Sequence, residues 1–263
     1  MTIAGSTRTM KHDLTDAGTL AKKVMDGETR AVSRLITLLE NQDPDGFSAL
    51  RLLGTVSGRA EMIGITGYPG TGKSTLIDQL ISVYRRLGKR VGVLAVDISS
   101  PLTGGAVLGD RIRMQDHSGD RLVYIRSMAT RGHQGGLAQA TREGLHVLEA
   151  AGYDVILIET VGVGQNEIDI MQVAQTVIAV VAPGLGDEIQ AMKAGLLEVA
   201  DIVVVNKGDL AGADAALRDL REWCPQVLRT VAVKGEGIPE LITAIAEHQR
   251  LRDLGRPRKG QNG

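Results

Sequence analysis

The chain has 263 residues, of which 43% are hydrophobic and 23% are charged. This length predicts one large domain or one domain with an appendage, and this composition excludes a disordered, collagen-like or disulfide-stapled chain. The formal net charge of −1 gives no electrostatic basis for binding nucleic acid or an anionic membrane.

The first sixty residues have the apolar spacing of helices. Val32, Leu35, Ile36 and Leu39 follow the i, i+3, i+4, i+7 pattern of an amphipathic helix. Another helix is predicted to end at the break at residues 26–27, and a third to begin at Pro44. We therefore predict a small N-terminal helical extension over residues 1–58.

From residue 59 the pattern changes to short apolar runs separated by helix-length segments. These runs lie at 62–66, 91–96, 122–125, 155–158, 177–182, 202–205 and 227–231. They predict an α/β fold with a mostly parallel sheet, covered by helices on both faces, whose ligands bind beyond the carboxyl ends of the strands. We assign residues 59–250 to this domain and residues 251–263 to a basic C-terminal tail.

A phosphate-binding motif follows the first predicted strand. It matches G-x-x-x-x-G-K-[ST] and consists of Gly67, Tyr68, Pro69, Gly70, Thr71, Gly72, Lys73, Ser74 and Thr75. Its glycines let backbone N–H groups point at a phosphate, and the following helix N-terminus favours the same anion. Lys73 is expected to contact the β and γ phosphates, and Ser74 to bind Mg²⁺. A glycine-rich turn without a ligand is the alternative, but the flanking strand and helix favour the P-loop of an NTPase.

Acidic residues follow two other predicted strands. Asp97 and Glu159 each come directly after a strand, and Asp110 lies in the glycine-rich segment beyond Asp97. Each carboxylate alone is also compatible with a helix cap. Together they are expected to complete the metal site of Ser74, because Mg²⁺ prefers oxygen ligands. With Lys73, these three carboxylates are the predicted catalytic residues.

A base-recognition motif follows the predicted strand at 202–205. The sequence N-K-x-D is formed by Asn206, Lys207, Gly208 and Asp209. The Asp209 carboxylate accepts hydrogen bonds from the ring N–H and the exocyclic amino group of guanine, whereas adenine presents a lone pair at that ring nitrogen. A site built on such bonds rejects the unpaired analogue by about 10⁴-fold. The stretch of Val231, Ala232, Val233 and Lys234 follows the last predicted strand. Unless it is a plain turn, it is expected to supply the backbone N–H that completes the guanine pocket, and Val231, Ala232 and Val233 are assigned to that pocket.

Several segments resemble the MeaB/ArgK group of P-loop GTPases, a metallochaperone-type branch of that superfamily. Residues 97–101, with 104–105 and 108–111, resemble its first switch. Residues 159–165 resemble its second switch, where Glu159 replaces the aspartate of ordinary GTPases. Residues 126–136 and 183–188 resemble further signatures of the group, and the likeness extends from about Leu20 to Ala246.

The resemblance implies a GTPase that chaperones an adenosylcobalamin-dependent acyl-CoA mutase. Members of the group bind the mutase, gate cofactor delivery from a cobalamin adenosyltransferase and help to discharge damaged cofactor. GTP or GDP and Mg²⁺ are the implied ligands, and hydrolysis is expected to be slow until the partner stimulates it. Carried over by position, the residues implied at the phosphates, metal and base are Lys73, Ser74, Asp97, Asp110, Glu159 and Asp209.

Two other functions share this fold. A nickel-inserting GTPase needs metal ligands, and the five histidines of this chain are dispersed rather than clustered. A kinase that phosphorylates a small molecule is disfavoured by the guanine-type base motif, and no acceptor-activating base is evident. Both stay open as alternatives to the mutase chaperone.

Location and assembly are predicted from simpler features. The single cysteine, Cys224, excludes a disulfide within the chain and favours the reducing cytoplasm. Residues 1–13 are polar and lack the apolar segment of a signal peptide, and the apolar run at 177–182 is far short of a membrane span. The family homodimer forms through a long C-terminal arm, and the short stretch after the helix predicted at 237–250 argues against that dimer here.

Overall fold

The computed structural model describes residues 6–54, 60–97, 117, 119–129, 136–160, 173–184 and 199–255, with the side chains of 6–15, 97, 129 and 136–138 excepted. The helices are α1 (Ser6–Met25), α2 (Thr29–Glu40), α3 (Pro44–Leu52), α4 (Lys73–Arg86), α5 (Gly136–Ala150), α6 (Ala213–Arg221) and α7 (Ile238–Asp253). The strands are β1 (Glu61–Thr66), β2 (Val91–Asp97), β3 (Val123–Ala129), β4 (Val155–Thr160), β5 (Thr176–Val181), β6 (Ile202–Val205) and β7 (Val227–Arg229). Within these ranges, no helix has the length and apolar character needed to cross a membrane.

The strands form one sheet in the order β3-β2-β4-β1-β5-β6-β7. All six strand pairings within the described residues are parallel, which confirms the predicted α/β class. Strand β1 lies between β4 and β5, with Ile65 opposite Glu159 on one side and Ile178 on the other. The carboxyl ends of all these strands consequently meet at one edge of the sheet, with the end of β1 at its centre.

Helices cover both faces of the sheet, as the unbroken apolar runs predict. Every residue of β4, β5 and β6 is buried. Alternate residues of β2 serve opposite faces: Val91 and Val93 pack in a cluster with α4 and α7, whereas Leu94 and Val96 pack in a cluster with α2 and α5. A third cluster lies between α6 and the β5-β6-β7 side of the sheet.

The N-terminal helices share their core with the sheet domain. The four apolar residues predicted to line one face of α2 are all buried, and they belong to the same cluster as Tyr124 of β3 and Ile156 of β4. A partly buried ion pair strengthens the contact: Arg126 of β3 binds Glu40 at the end of α2. Arg126 also donates to Thr37 Oγ1 at 3.0 Å. The helical extension is therefore packed onto one face of the sheet.

Several strands differ in length from their sequence predictions. Strands β2 and β4 continue to Asp97 and Thr160, so Asp97 and Glu159 lie within strands, whereas the sequence predicts them directly after the strands. Strand β3 continues to Ala129, four residues beyond the apolar run, because Arg126 is neutralised by Glu40 and so tolerates its position in the sheet. Strand β7 ends at Arg229, two residues early. There the chain turns: the Val231 amide donates to the Glu236 carbonyl at 3.0 Å in an isolated bridge.

Candidate nucleotide-binding site

Three predicted segments meet at the carboxyl edge of the sheet. The loop at 67–72 continues from β1, Glu159 lies near the end of β4 beside it, and the segment at 206–209 continues from β6 two strands away. The turn at 231–234 follows β7 at the same edge. Sequence segments more than a hundred residues apart are thus adjacent in space.

The glycines at both ends of the phosphate-binding loop are required by close contacts. Gly67 has φ 144°, and a Cβ atom there would overlap the carbonyl oxygen of Val180 in β5. Gly72 has φ 93°, and a Cβ there would overlap the side-chain amide of Asn206. Gly70 also has a positive φ, of 81°, but the space around it is open. The first and last glycines of the motif are therefore fixed by their neighbours as well as by backbone conformation.

Lys73 lies inside this loop. Its side chain is buried, and Nζ donates to the carbonyl oxygens of Gly67 at 2.9 Å and Tyr68 at 3.1 Å. Lys73 is also the first residue of α4, whose N-terminal amides carry the positive end of the helix dipole. A buried cation and a helix N-terminus at the same point favour a phosphate group.

Ser74 and Glu159 form the centre of the predicted metal site. Ser74 Oγ donates to Glu159 Oε1 at 3.0 Å, and both residues are buried, with Glu159 2% exposed. A hydroxyl and a carboxylate beside a phosphate loop are oxygen donors of the kind that Mg²⁺ binds, so the residues present fit this ion. The backbone of Asp97 ends β2 next to β4, but its side chain and all of Asp110 lie outside the described residues. The described side chains do not bring three acidic, histidine or cysteine residues together as a metal site.

Asn206 connects the phosphate loop to the base-recognition segment. Its Nδ2 donates to the Thr71 carbonyl at 2.9 Å. Its Oδ1 accepts from Thr230 Oγ1 and from the Ala232 amide, each at 3.0 Å. Asn206 is 3% exposed, so these bonds are shielded from water. One buried side chain therefore holds three loops in a fixed arrangement.

Lys207 and Asp209 lie at the surface of this arrangement. Lys207 has a φ of 55°, an uncommon conformation for a residue with a side chain. Asp209 Oδ2 accepts from Lys234 Nζ at 3.0 Å. This hydrogen bond and the positive charge of Lys234 hold the pKa of the Asp209 carboxyl below its ordinary value, and Asp209 in turn raises the pKa of Lys234. The carboxylate is therefore ionised and ready to accept hydrogen bonds.

Gly208, which lies between Lys207 and Asp209 in the sequence, is packed against Arg229. The guanidinium donates to the Gly208 carbonyl and to Asp214 Oδ1, the latter at 3.0 Å. A Cβ at position 208 would lie 2.5 Å from Arg229 Cγ. The small residue between Lys207 and Asp209 therefore leaves room for the arginine stem.

Two of the three backbone amides predicted at the base pocket donate hydrogen bonds within the protein. The Val231 amide donates to Glu236, and the Ala232 amide donates to Asn206. Val233 is 77% exposed and lies in the middle of a short 3-10 helix, residues 232–234. The amides of Val231 and Ala232 are therefore already bound within the protein.

The sequence did not identify several residues that shape the site. Thr230 and Arg229 act through contacts between distant segments, for which no local spacing gives a signal. The same is true of the side chain of Lys234, a residue that the sequence indicated only through its backbone N–H. Other predicted segments lie outside the described residues: the first-switch residues 98–111, the second-switch residues 161–165, residues 130–135 and 185–188, and the tail from 256.

Comparison with known proteins identifies the family. The sequence model of the methylmalonyl-CoA mutase-associated GTPase MeaB matches residues 32–261. The chain belongs to the MeaB family. A proposed GTPase of Pyrococcus abyssi is 52% identical over 245 residues, covering 88% of this chain and 76% of that protein. The methylmalonic aciduria type A homolog of Caenorhabditis briggsae is 35% identical over 268 residues, covering 91% of this chain and 65% of that protein.

A solved structure agrees with the family assignment. The crystal structure of a LAO/AO transport system kinase has a TM-score of 0.69 and 30% identity, covering 92% of this chain and 78% of that one. The P-loop NTPase fold predicted from the sequence is thus confirmed. As a MeaB-family member this chain is a GTPase, and it binds guanine nucleotides.

Proposed function

We propose that this MeaB-family GTPase binds and hydrolyses GTP to gate adenosylcobalamin delivery to a cobalamin-dependent acyl-CoA mutase, and to protect or repair that mutase. The observation that carries the nucleotide half is the 2.9 Å bond from Asn206 to Thr71, since it joins a phosphate loop to a base-recognition segment. The mutase half is supported by the family description and by the name of the Caenorhabditis briggsae relative. A cobalamin adenosyltransferase is a further partner in this proposal, and the cytoplasm is its location.

In this proposal each segment has a separate part in binding GTP. The amides of residues 67–75 and the ammonium of Lys73 bind the phosphates, and Asn206, Lys207 and Asp209 bind the base with an amide from 231–233. Phosphoryl transfer to water depends on positioning and charge neutralisation rather than on covalent chemistry. The buried cation of Lys73, already held between two carbonyls, needs little reorganisation to stabilise charge on the β and γ phosphates.

Mg²⁺ is the proposed metal, held by Ser74 and Glu159 together with Asp97 and Asp110. When bound, it supplies positive charge to the phosphate oxygens that become more negative during transfer. The hydrogen bond between Ser74 and Glu159 orients the serine hydroxyl and holds the carboxylate at the end of β4. In this proposal hydrolysis is slow until the partner binds, because the partner is needed to complete the catalytic site.

Substituting Lys73 tests the phosphate site. Lys73→Ala is expected to abolish tight GTP and GDP binding, measured by titration with a fluorescent guanine nucleotide. Lys89→Ala, at an exposed lysine beyond the other end of α4, is the control and should bind as the wild type does. Melting curves for both variants identify a folding defect. Unchanged affinity in a folded Lys73→Ala protein would reject the phosphate-site assignment.

Partner and nucleotide assays separate the three candidate functions. A mutase chaperone is expected to retain a cobalamin-dependent acyl-CoA mutase in a pull-down, with retention that differs between GDP and a non-hydrolysable GTP analogue. Binding of ATP as tightly as GTP would favour a small-molecule kinase. Stoichiometric nickel in the purified protein, without mutase binding, would favour a nickel-insertion GTPase.

A further inference from the structure

An ion pair that the motifs do not include lies at the base-recognition segment. Lys234 Nζ and Asp209 Oδ2 are 3.0 Å apart, although the two residues are 25 positions apart in sequence. Lys234 ends the short 3-10 helix that follows β7, and its amide donates to the Val231 carbonyl at 2.8 Å. Because the Ala232 amide is bound to the buried Asn206 side chain, the start of this helix is fixed to the centre of the site.

This ion pair is poorly suited to stabilising the fold. The side chains of Lys234 and Asp209 are 52% and 39% exposed, and exposed ion pairs contribute little to folding stability. Both backbones are already held by other bonds: Ala232 by Asn206, and the 206–209 segment by the Gly208 amide, which donates to the Thr230 carbonyl at 2.9 Å. The contact therefore affects the Asp209 side chain more than the packing of the two loops.

The carboxylate of Asp209 is the group that distinguishes guanine from adenine in the proposed site. It must be ionised, and its plane must face the ring N–H and exocyclic amino group of guanine. Each carboxylate oxygen has two lone pairs, so Oδ2 can accept from Lys234 and from a purine at the same time. Arg229, held against the Gly208 carbonyl and Asp214 Oδ1, adds a second positive charge near Asp209.

We propose that Lys234 is a specificity-determining positioning residue, which holds the Asp209 carboxylate in the orientation that accepts the two donors of guanine. This inference rests on the proposed nucleotide site. It adds to that site a residue from a different loop, one that acts on the base only through Asp209. Removing Lys234 should therefore weaken guanine nucleotides selectively, and only while Asp209 is present.

The test compares GDP and ADP affinities, measured by competition with a fluorescent guanine nucleotide, in variants at position 234. Lys234→Ala is expected to weaken GDP binding about threefold to fivefold, as for loss of an exposed charge contact, with ADP unchanged. Lys234→Arg should stay within about twofold of the wild type, because a cation remains, whereas Lys234→Glu should lose about tenfold or more. Lys89→Ala controls for the loss of a surface charge.

A double-mutant cycle tests whether Lys234 acts through Asp209. In an Asp209→Ala background, adding Lys234→Ala should change GDP affinity by less than about 1.5-fold. Equal weakening of GDP and ADP, wild-type GDP affinity in both Lys234→Ala and Lys234→Glu, or an undiminished effect without Asp209 would each overturn the inference. Failure of the proposed site itself looks different: the wild-type protein would then bind GDP no better than ADP.

Discussion

The side-chain amide of Asn206 donates to the carbonyl of Thr71 across 135 residues of sequence. Thr71 is itself fully buried, and its hydroxyl donates to the Tyr68 carbonyl at 2.9 Å. The phosphate loop is thus held from within by a threonine turn and from outside by the residue that begins the base-recognition motif. This contact joins the two halves of the site directly.

Asn206→Ala is expected to damage both folding and nucleotide binding. It removes the hydrogen-bond partner of the Thr71 carbonyl, the Thr230 hydroxyl and the Ala232 amide, and the expected loss in the free energy of unfolding is on the order of 3 kcal/mol. Urea denaturation and GDP titration measure the two effects. Thr230→Val is the comparison, because it removes one donor and keeps the bond to Thr71, so it should cost less in both assays. Equal GDP affinity in Asn206→Ala and the wild type would refute this linkage.

Alanine substitutions at Gly72 and Gly70 form a matched pair that tests the contact between the phosphate loop and Asn206. Both have φ between 80° and 95°, so alanine at either position is strained by on the order of 1–2 kcal/mol. Only at Gly72 would the new Cβ overlap the Asn206 amide. Gly72→Ala should therefore weaken GDP binding well beyond Gly70→Ala, measured by calorimetry. Similar losses in the two variants would mean that backbone strain alone accounts for the effect.

The sequence predicts those parts of the site that depend on one segment at a time. Unbroken apolar runs predict the buried strands, and the residues that follow them predict which side chains reach the carboxyl edge. Contacts between segments leave no such pattern. Lys234 falls in a turn whose residues could equally face solvent, and Arg126 interrupts an apolar run, which made β3 look shorter than it is. Its partner Glu40 lies 86 residues away, so the neutralising contact is visible only in the fold.

Glu159→Gln tests the proposed metal site without removing the acceptor of the Ser74 hydrogen bond. The amide oxygen of glutamine still accepts from Ser74, but the negative charge is lost. The Mg²⁺ concentration needed for half-maximal GTP hydrolysis is expected to rise about 10- to 100-fold, as it does when groups that support a metal are changed. Glu149→Gln is the control, since Glu149 is also buried but accepts from the Ala60 amide, away from the site. Identical Mg²⁺ titrations for both variants would show that Glu159 is not part of the metal site.

Arg126→Ala tests how far the N-terminal helices depend on the partly buried ion pair with Glu40. The two side chains are 14% and 4% exposed, and removing one member leaves a buried charge, at a cost of about 3–5 kcal/mol in the free energy of unfolding. Arg34→Ala is the control: Arg34 lies on α2 as Glu40 does, but its pair with Asp16 is exposed and should contribute at most about 0.5 kcal/mol. Denaturant titration measures both values, and a loss below 1 kcal/mol for Arg126→Ala would contradict the structure.

Asp120 gives the fold a contribution to stability that depends on pH. Hydrogen bonds from Arg85 Nε at 2.7 Å and from the Leu122 amide at 2.9 Å hold the pKa of the Asp120 carboxyl below its ordinary value of 3.8. Because the pKa is lower in the folded than in the unfolded chain, the contribution is fully present above the ordinary value and is lost as the pH falls through the folded one.

Asp120→Asn should therefore be less stable than the wild type at neutral pH, and the difference should shrink steadily as the pH falls below about 4. Thermal melts between pH 7 and pH 3 measure it, with the exposed Asp26→Asn as a control for loss of a surface charge. A stability difference that stays constant over this range would show that the contact between Arg85 and Asp120 does not depend on the charge of the carboxyl.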